Sequence, residues 1–171
     1  MNSPFANLYL ALQEYIAGLT SGGDKLIAYV DLDRYQLYVE GNPQLAYPSV
    51  LIDFEGWQFE QMGDSAQAGE GQVIFYLVFA PFSSTGSITP APYMEKGLNY
   101  FDIEYQLHIA LQNWSAGDNY GSLNRISATT EKIRADRRVR KIIYKLRLED
   151  YSTLTVPAIA DVPPVITPSF H

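Results

Sequence analysis

Cysteine does not occur anywhere in the 171 residues, which excludes disulfides, thiolate nucleophiles and cysteine-based metal sites together. Histidine occurs only twice, at His108 and at the final His171. No serine, second histidine or carboxylate pair stands at a spacing that would orient His108 as a general base, so it reads as a structural residue on a helix flank beside Tyr105 and Gln112. Long apolar runs are missing as well, and no stretch approaches the roughly 20 residues of a membrane span. The opening "MNSPFANLYLALQEYIAGLT" lacks the basic start and uninterrupted apolar core of a signal peptide. The expectation is a protein that works inside a cell and away from the membrane.

Positive charge is scarce and unevenly placed. Twelve Lys and Arg against nineteen Asp and Glu give a net charge of -7. From residue 125 to 147, however, nine basic and two acidic side chains leave a balance of +7, and the remainder carries -14. One edge or face is therefore expected to be basic and another acidic, a pattern that attracts copies of the same molecule as readily as a polyanion. The stretch "RADRRVRKIIYKLRLED" concentrates the basic charge. Within it Tyr144, Leu146 and Leu148 alternate with Lys145 and Arg147, as on a half-buried strand.

What is abundant is aromatic and β-branched. Thirteen Tyr and eight Phe, with many Val and Ile, favour sheet. Two segments carry helical periodicity instead. Ser3 and Pro4 supply a cap and a first helical residue for Leu8, Leu12, Tyr15, Ile16 and Leu19, and "SGGD" ends the run. A second helix is expected from 99 to about 113, capped by Asn99, with Tyr100, Ile103, Leu107, Leu111 and Trp114 as its buried stripe.

The remaining segments read as strands and turns. "KLIAYVDLDRYQLYVEG" is expected as one long strand or a hairpin bent near 31–34. "PSVLIDFEGWQFEQ" alternates, with Val50, Ile52 and Phe54 on one face and Leu51, Asp53 and Glu55 on the other. "QVIFYLVFAPF" is apolar on both faces and needs cover on both. Two further strands at 124–134 and 139–149, joined by a turn at "ADR", complete the sheet. Residues 81–97 read as a long irregular loop, and the proline-rich 152–171 as an extended arm after a single domain of 1–151.

The order helix, strands, helix, strands implies an α+β fold: a mostly antiparallel sheet of four to five strands with two helices packed on one face. Two helices cannot cover both faces, so either a neighbouring subunit or a long loop is expected over the other. The carboxylate pairs Asp31/Asp33, Asp53/Glu55 and Asp102/Glu104 are too sparse for a metal site and read as solvated faces. No enzyme, cofactor, metal site or catalytic residue is expected. The basic hairpin 134–147 leaves an alternative, a nucleic-acid-binding or small-ligand-binding α+β protein, although no recognition helix or stacking platform accompanies it.

Several phrases in order resemble the tail terminator, or tail completion, proteins of long-tailed bacteriophages, a family that overlaps with neck and minor tail proteins of similar fold. They are the opening helix, "YPSVLIDFEGWQF", "GQVIFYLVFAPF", "YFDIEYQLHIALQNW" before a glycine-rich break, "GSLNRI" and the closing hairpin. Coverage runs from residue 4 to about 151. The resemblance implies a structural subunit, in a phage virion tail or in the host cytoplasm during assembly, that closes into a homo-oligomeric ring, a hexamer. Its implied partners are the tail tube protein and the head-tail connector or neck proteins, with DNA passing through the lumen. Charge complementarity then selects interface residues. They are the basic Arg137, Arg138, Arg140, Lys141, Lys145 and Arg147, with Asp31, Asp33, Asp53 and Glu55 as acceptors, and the loop 81–97 is expected to join them.

Overall fold

A computed structural model describes residues 3–38, 45–63, 66–80, 85–132 and 137–151 of the chain. Helix α1 spans Pro4–Ala17. It begins where expected because Ser3 is extended, accepts a hydrogen bond from the Ala6 N–H at 3.4 Å, and is followed by Pro4 at the first helical position. Leu8, Leu12 and Ile16, one per turn, are fully buried. A two-stranded ribbon follows, β1 (Thr20–Ser21) and β2 (Asp24–Lys25), turning through Gly22 and Gly23, both at positive φ.

The main sheet has five strands in the order β3-β4-β5-β7-β6. They are β3 (Tyr29–Leu32), β4 (Ser49–Gln61), β5 (Gln67–Phe79), β6 (Asn124–Glu131) and β7 (Arg138–Asp150). Every pairing is antiparallel except β3 with β4, which is parallel, so the α+β fold is built on a mixed sheet. The expected hairpin bent near Asp31 is instead this short parallel strand. The described ends of its connection to β4 lie over one face of the sheet, where Leu37, Leu45 and Tyr47 pack.

Helix α2 spans Ala91–Leu111, beginning eight residues before the expected cap at Asn99. No side chain caps it; Pro90 occupies the cap and Pro92 the first turn, where its missing N–H costs nothing. Much of the expected loop is therefore helix, and residues 81–84 lie outside the described residues. Both helices pack on one face of the sheet. Leu8, Leu12 and Ile16 of α1 and Tyr100, Leu107 and Leu111 of α2 share a core with Val50, Ile52, Val73, Phe75, Leu77, Ile142, Tyr144 and Leu146. The helices meet at their ends, where the Tyr15 hydroxyl donates to the Ala110 carbonyl at 2.9 Å and stacks on Trp114.

The second face of β5 is covered by chain, one of the two expected solutions. Leu37, Leu45 and Tyr47, from the connection between β3 and β4, pack on Leu51, Ile74, Tyr76, Val78 and Val139. This flap covers only the half of the face nearest β3. Beyond it, the same face of β4, β5 and β7 carries Glu55, Gln58, Glu60, Glu70, Gln72, Lys145 and Arg147. Residues 133–136, where the last turn is expected, and the arm 152–171 lie outside the described residues.

At the far half of the sheet the helix side is lined by aromatics. Between Glu55 and Gln58 the register of β4 against β5 slips by one residue, at Gly56 with φ 63°. Trp57 and Phe59 then lie over Gly71 and Gly69, where a Cβ would overlap the indole or the phenyl ring. Phe5 of α1 closes against them edge-on, 4.9 Å from Trp57 and 5.6 Å from Phe54 between ring centroids.

Candidate functional site

Strand alternation divides the basic residues of β7 between the two sides of the sheet. Arg138 and Arg140 point to the helix side. Lys141, Lys145 and Arg147 point to the flap side. Arg137, just before the strand, is buried.

On the helix side both arginines are held by α2. The Arg138 guanidinium lies 4.0 Å from the centroid of the Tyr100 ring, close enough for cation–π attraction. Arg140 donates from Nε to Glu104 Oε2 at 2.7 Å and from Nη2 to Oε1 at 2.8 Å, a bidentate pair, and from Nη1 to Thr130 on β6 at 2.8 Å. One helical turn further along α2, His108 Nδ1 and the Tyr144 hydroxyl share a 3.0 Å hydrogen bond. Burial, helped by the nearby Arg125 cation and opposed by Glu104, holds His108 below the usual imidazole range. Burial pushes Tyr144 up to about 12. Both groups are therefore neutral near pH 7, and the pair ties helix to sheet.

The flap side is more open. Lys145 pairs with Glu70 at 2.8 Å and Arg147 with Glu60 at 3.7 Å, each with about half of its side chain in solvent. Lys141 sits 5.7 Å from the Tyr76 ring centroid.

The expected acceptors lie across the sheet from β7. Asp31, on β3, is engaged locally: the Tyr29 hydroxyl donates to it at 2.7 Å, the Leu32 N–H at 2.9 Å and Arg34 at 2.6 Å. Burial alone raises its pKa, but these donors more than offset that and hold it below the usual carboxylate range. Asp33 is shifted the other way, upward, first by burial and then by the negative charges of Asp53 and Glu55, against a hydrogen bond from the Tyr35 N–H. Asp33, Asp53 and Glu55 thus form an acidic group beside Tyr76, whose pKa is also raised, by burial first and then by Glu55 and Asp33.

Among the described residues, no three His, Asp or Glu side chains converge to hold a metal ion. No described helix is long and apolar enough to cross a membrane. Around His108, where a small-ligand pocket would be expected, Leu107 and Tyr144 are fully buried. The pairing of Glu104 with Arg140 was hidden in the sequence, where "DIE" reads as a solvated carboxylate pair. The one available signal was its helical phase, which places Glu104 with the buried Tyr100, Leu107 and Leu111 rather than with Asp102.

The surface outside these contacts has two notable features. Among the described residues β6 is paired only with β7, and β4 beyond Ile52 is paired only with β5, so both edges of the sheet have strands without an outer partner. Helix α2 also exposes Leu98, Phe101, Tyr105 and Ile109 along the side away from the core. No protein-family model and no curated protein matches the chain.

Proposed function

We propose that the chain is a structural assembly subunit, a tail terminator of a long-tailed bacteriophage or prophage, which closes into a ring of about six copies on the end of the tail tube. The observation that carries this reading is the pair of unlike sheet edges. One is β6, an eight-residue strand bearing Asn, Ser and Thr; the other is the outer half of β4, bearing Asp53, Glu55 and Glu60. An unpaired strand edge is a liability unless something covers it. Two different edges on opposite sides of one subunit supply the two halves of a head-to-tail contact, and such contacts close into rings when the rotation allows.

The specific assignment is supported by the resemblance of the ordered sequence phrases to the terminator family. In this reading the ring stops tube polymerisation and offers its other surface to the head-side connector, with DNA crossing the lumen. The basic strand plays a smaller part than its charge suggests, because Arg138 and Arg140 are engaged by α2. Lys145 and Arg147, with Lys141, are the cations available to a neighbour, the tube or DNA.

The test is the mass in solution by light scattering after size exclusion, at low and high salt, with micrographs of the same fractions and of fractions mixed with purified tail tubes. Rings of about six copies, alone or capping tubes, support the reading. A chain that stays monomeric and leaves tube ends uncapped overturns it.

A further inference from the structure

Helix α2 is apolar on two sides. Tyr100, Leu107 and Leu111 face the core, while Leu98, Phe101, Tyr105 and Ile109 form a second stripe on the opposite side, 40%, 49%, 63% and 58% exposed. Their spacing of three and four residues puts them on one face over three turns, a length of about 17 Å. Glu95, Asn99, Asp102 and Gln106 form a polar strip beside the outer stripe, yet four large apolar side chains in line on an exposed helix face are more than a solvated face needs. The charged residues of β7 do not screen this stripe: Arg140 is turned inward onto Glu104, and Arg138 touches only the Phe101 end, 5.7 Å from its ring centroid.

The chain carries a segment of matching chemistry. After Tyr151, residues 152–171 hold Val156, Ile159, Val162, Val165, Ile166 and Phe170, four prolines, and a single acidic residue, Asp161. Such a segment cannot form a core of its own, and its prolines favour an extended form that loses little entropy on docking. At about 3.1 Å per residue it reaches about 60 Å when extended, several times the length of the stripe.

Direction distinguishes the chain's own helix from a neighbour's. Strand β7 runs alongside α2 in the same sense, Arg140 beside Glu104 and Tyr144 beside His108, and leaves the sheet beyond the C-terminal end of the helix. To lie on its own α2 the arm would have to reverse at once. Residues 152–156, "STLTV", contain no Gly, Pro, Asn or Asp; Ser152 is their one common turn former, and the rest favour extension.

We propose that residues 156–170 of one copy dock on the Leu98, Phe101, Tyr105 and Ile109 face of α2 in the next copy. The proposal rests on the ring reading for its biological setting but not for its chemistry. A donated arm gives every subunit one groove to fill and one strap to give, the same head-to-tail relation as the sheet edges.

Because the chain has no cysteine, single thiols can be placed in the full-length protein without background. Tyr105→Cys chains mixed with Ile159→Cys chains and gently oxidised are expected to give a disulfide-linked heterodimer. Its yield is expected to be roughly tenfold above a control mixture with Leu10→Cys, an exposed position on α1, because docking raises the local thiol concentration. The double variant Tyr105→Cys/Ile159→Cys is expected to give multi-chain ladders. A yield equal to the control overturns the proposal. So does a double variant that closes on itself as a monomer in dilute solution, which would put the arm on its own helix. The solution mass separates the two readings: rings without the cross-link sink the arm alone, and cross-linked chains that never form rings sink the terminator reading alone.

Discussion

Glu104 and Arg140 face each other across the helix-sheet interface in a two-pronged ion pair of 2.7 and 2.8 Å, with only 11% and 16% of their side chains exposed. Four residues further along both elements, His108 and Tyr144 meet at 3.0 Å. Two polar contacts at separate points, rather than one, hold α2 against β7.

Removing one member of the buried pair leaves the other charged and unsolvated. Glu104→Ala is expected to destabilise the fold by about 3 kcal/mol, read from urea unfolding. The double variant Glu104→Leu/Arg140→Met is expected to recover part of that loss. Additive losses would show that the two residues act independently.

Charge reversal separates the two groups of cations on β7. Arg140→Glu is expected to impair folding itself, since it opposes Glu104. Lys145→Glu sits in an exposed pair, so its stability cost is expected to stay below about 1 kcal/mol. If Lys145 and Arg147 face a neighbour, Lys145→Glu/Arg147→Glu weakens ring formation at low salt while leaving the unfolding midpoint nearly unchanged. Assembly indifferent to this double reversal would remove both residues from the interface.

His108 gives the fold a pH dependence of known sign. Its folded pKa lies below the unfolded value of about 6.5, so the unfolded chain binds the proton more readily. Its contribution is full above about pH 6.5 and is lost as pH falls toward the folded pKa. The melting temperature of the protein is expected to drop more between pH 7.5 and 5.5 than that of His108→Gln. Equal drops would assign the acid sensitivity to other groups.

Gly71 lies against the Trp57 indole, and Gly69 against Phe59. Gly71→Ala is expected to cost about 1–3 kcal/mol by overpacking, which corresponds to a fall in melting temperature of a few degrees for a domain of this size. The same substitution at Gly117, where no atom lies near a new Cβ but φ is 134°, tests backbone strain without crowding.

Helix α1 was legible because Ser3, Pro4 and three leucine-type turns agree, and no neighbour was needed to place them. The start of α2 was not, since "TPAPYMEKG" has two prolines and a glycine that read as loop. Pro92 is harmless in a first turn, and Gly97 is buried in the helix. The parallel pairing of β3 was invisible because the described part of its crossover, 33–38 and 45–48, contains no helix, the usual sign of a parallel connection. Strict alternation along 138–147 puts Arg138 and Arg140 on the opposite side from Lys141, Lys145 and Arg147, a division missed by counting the cations as one basic face. Which of them would be consumed depended on Glu104 and Tyr100 arriving from α2, a tertiary fact that charge counting along the chain does not contain.

The slip at Gly56 acts as a phase change in the reading of β4. Up to Glu55 the odd-numbered residues belong to the flap side; after it Trp57 and Phe59 belong to the helix side, and Gln58 and Glu60 take their place. Were Gly56 to pair as an ordinary strand residue, with no slip, the far half of β4 would present its two surfaces the other way round. The aromatic ledge that seats Phe5 would open to water, and Glu60 would leave Arg147 for the space above two glycines. The chain thus keeps one continuous strand while allotting its near half and its far half to opposite sides, and the position of α1 depends on where that switch falls.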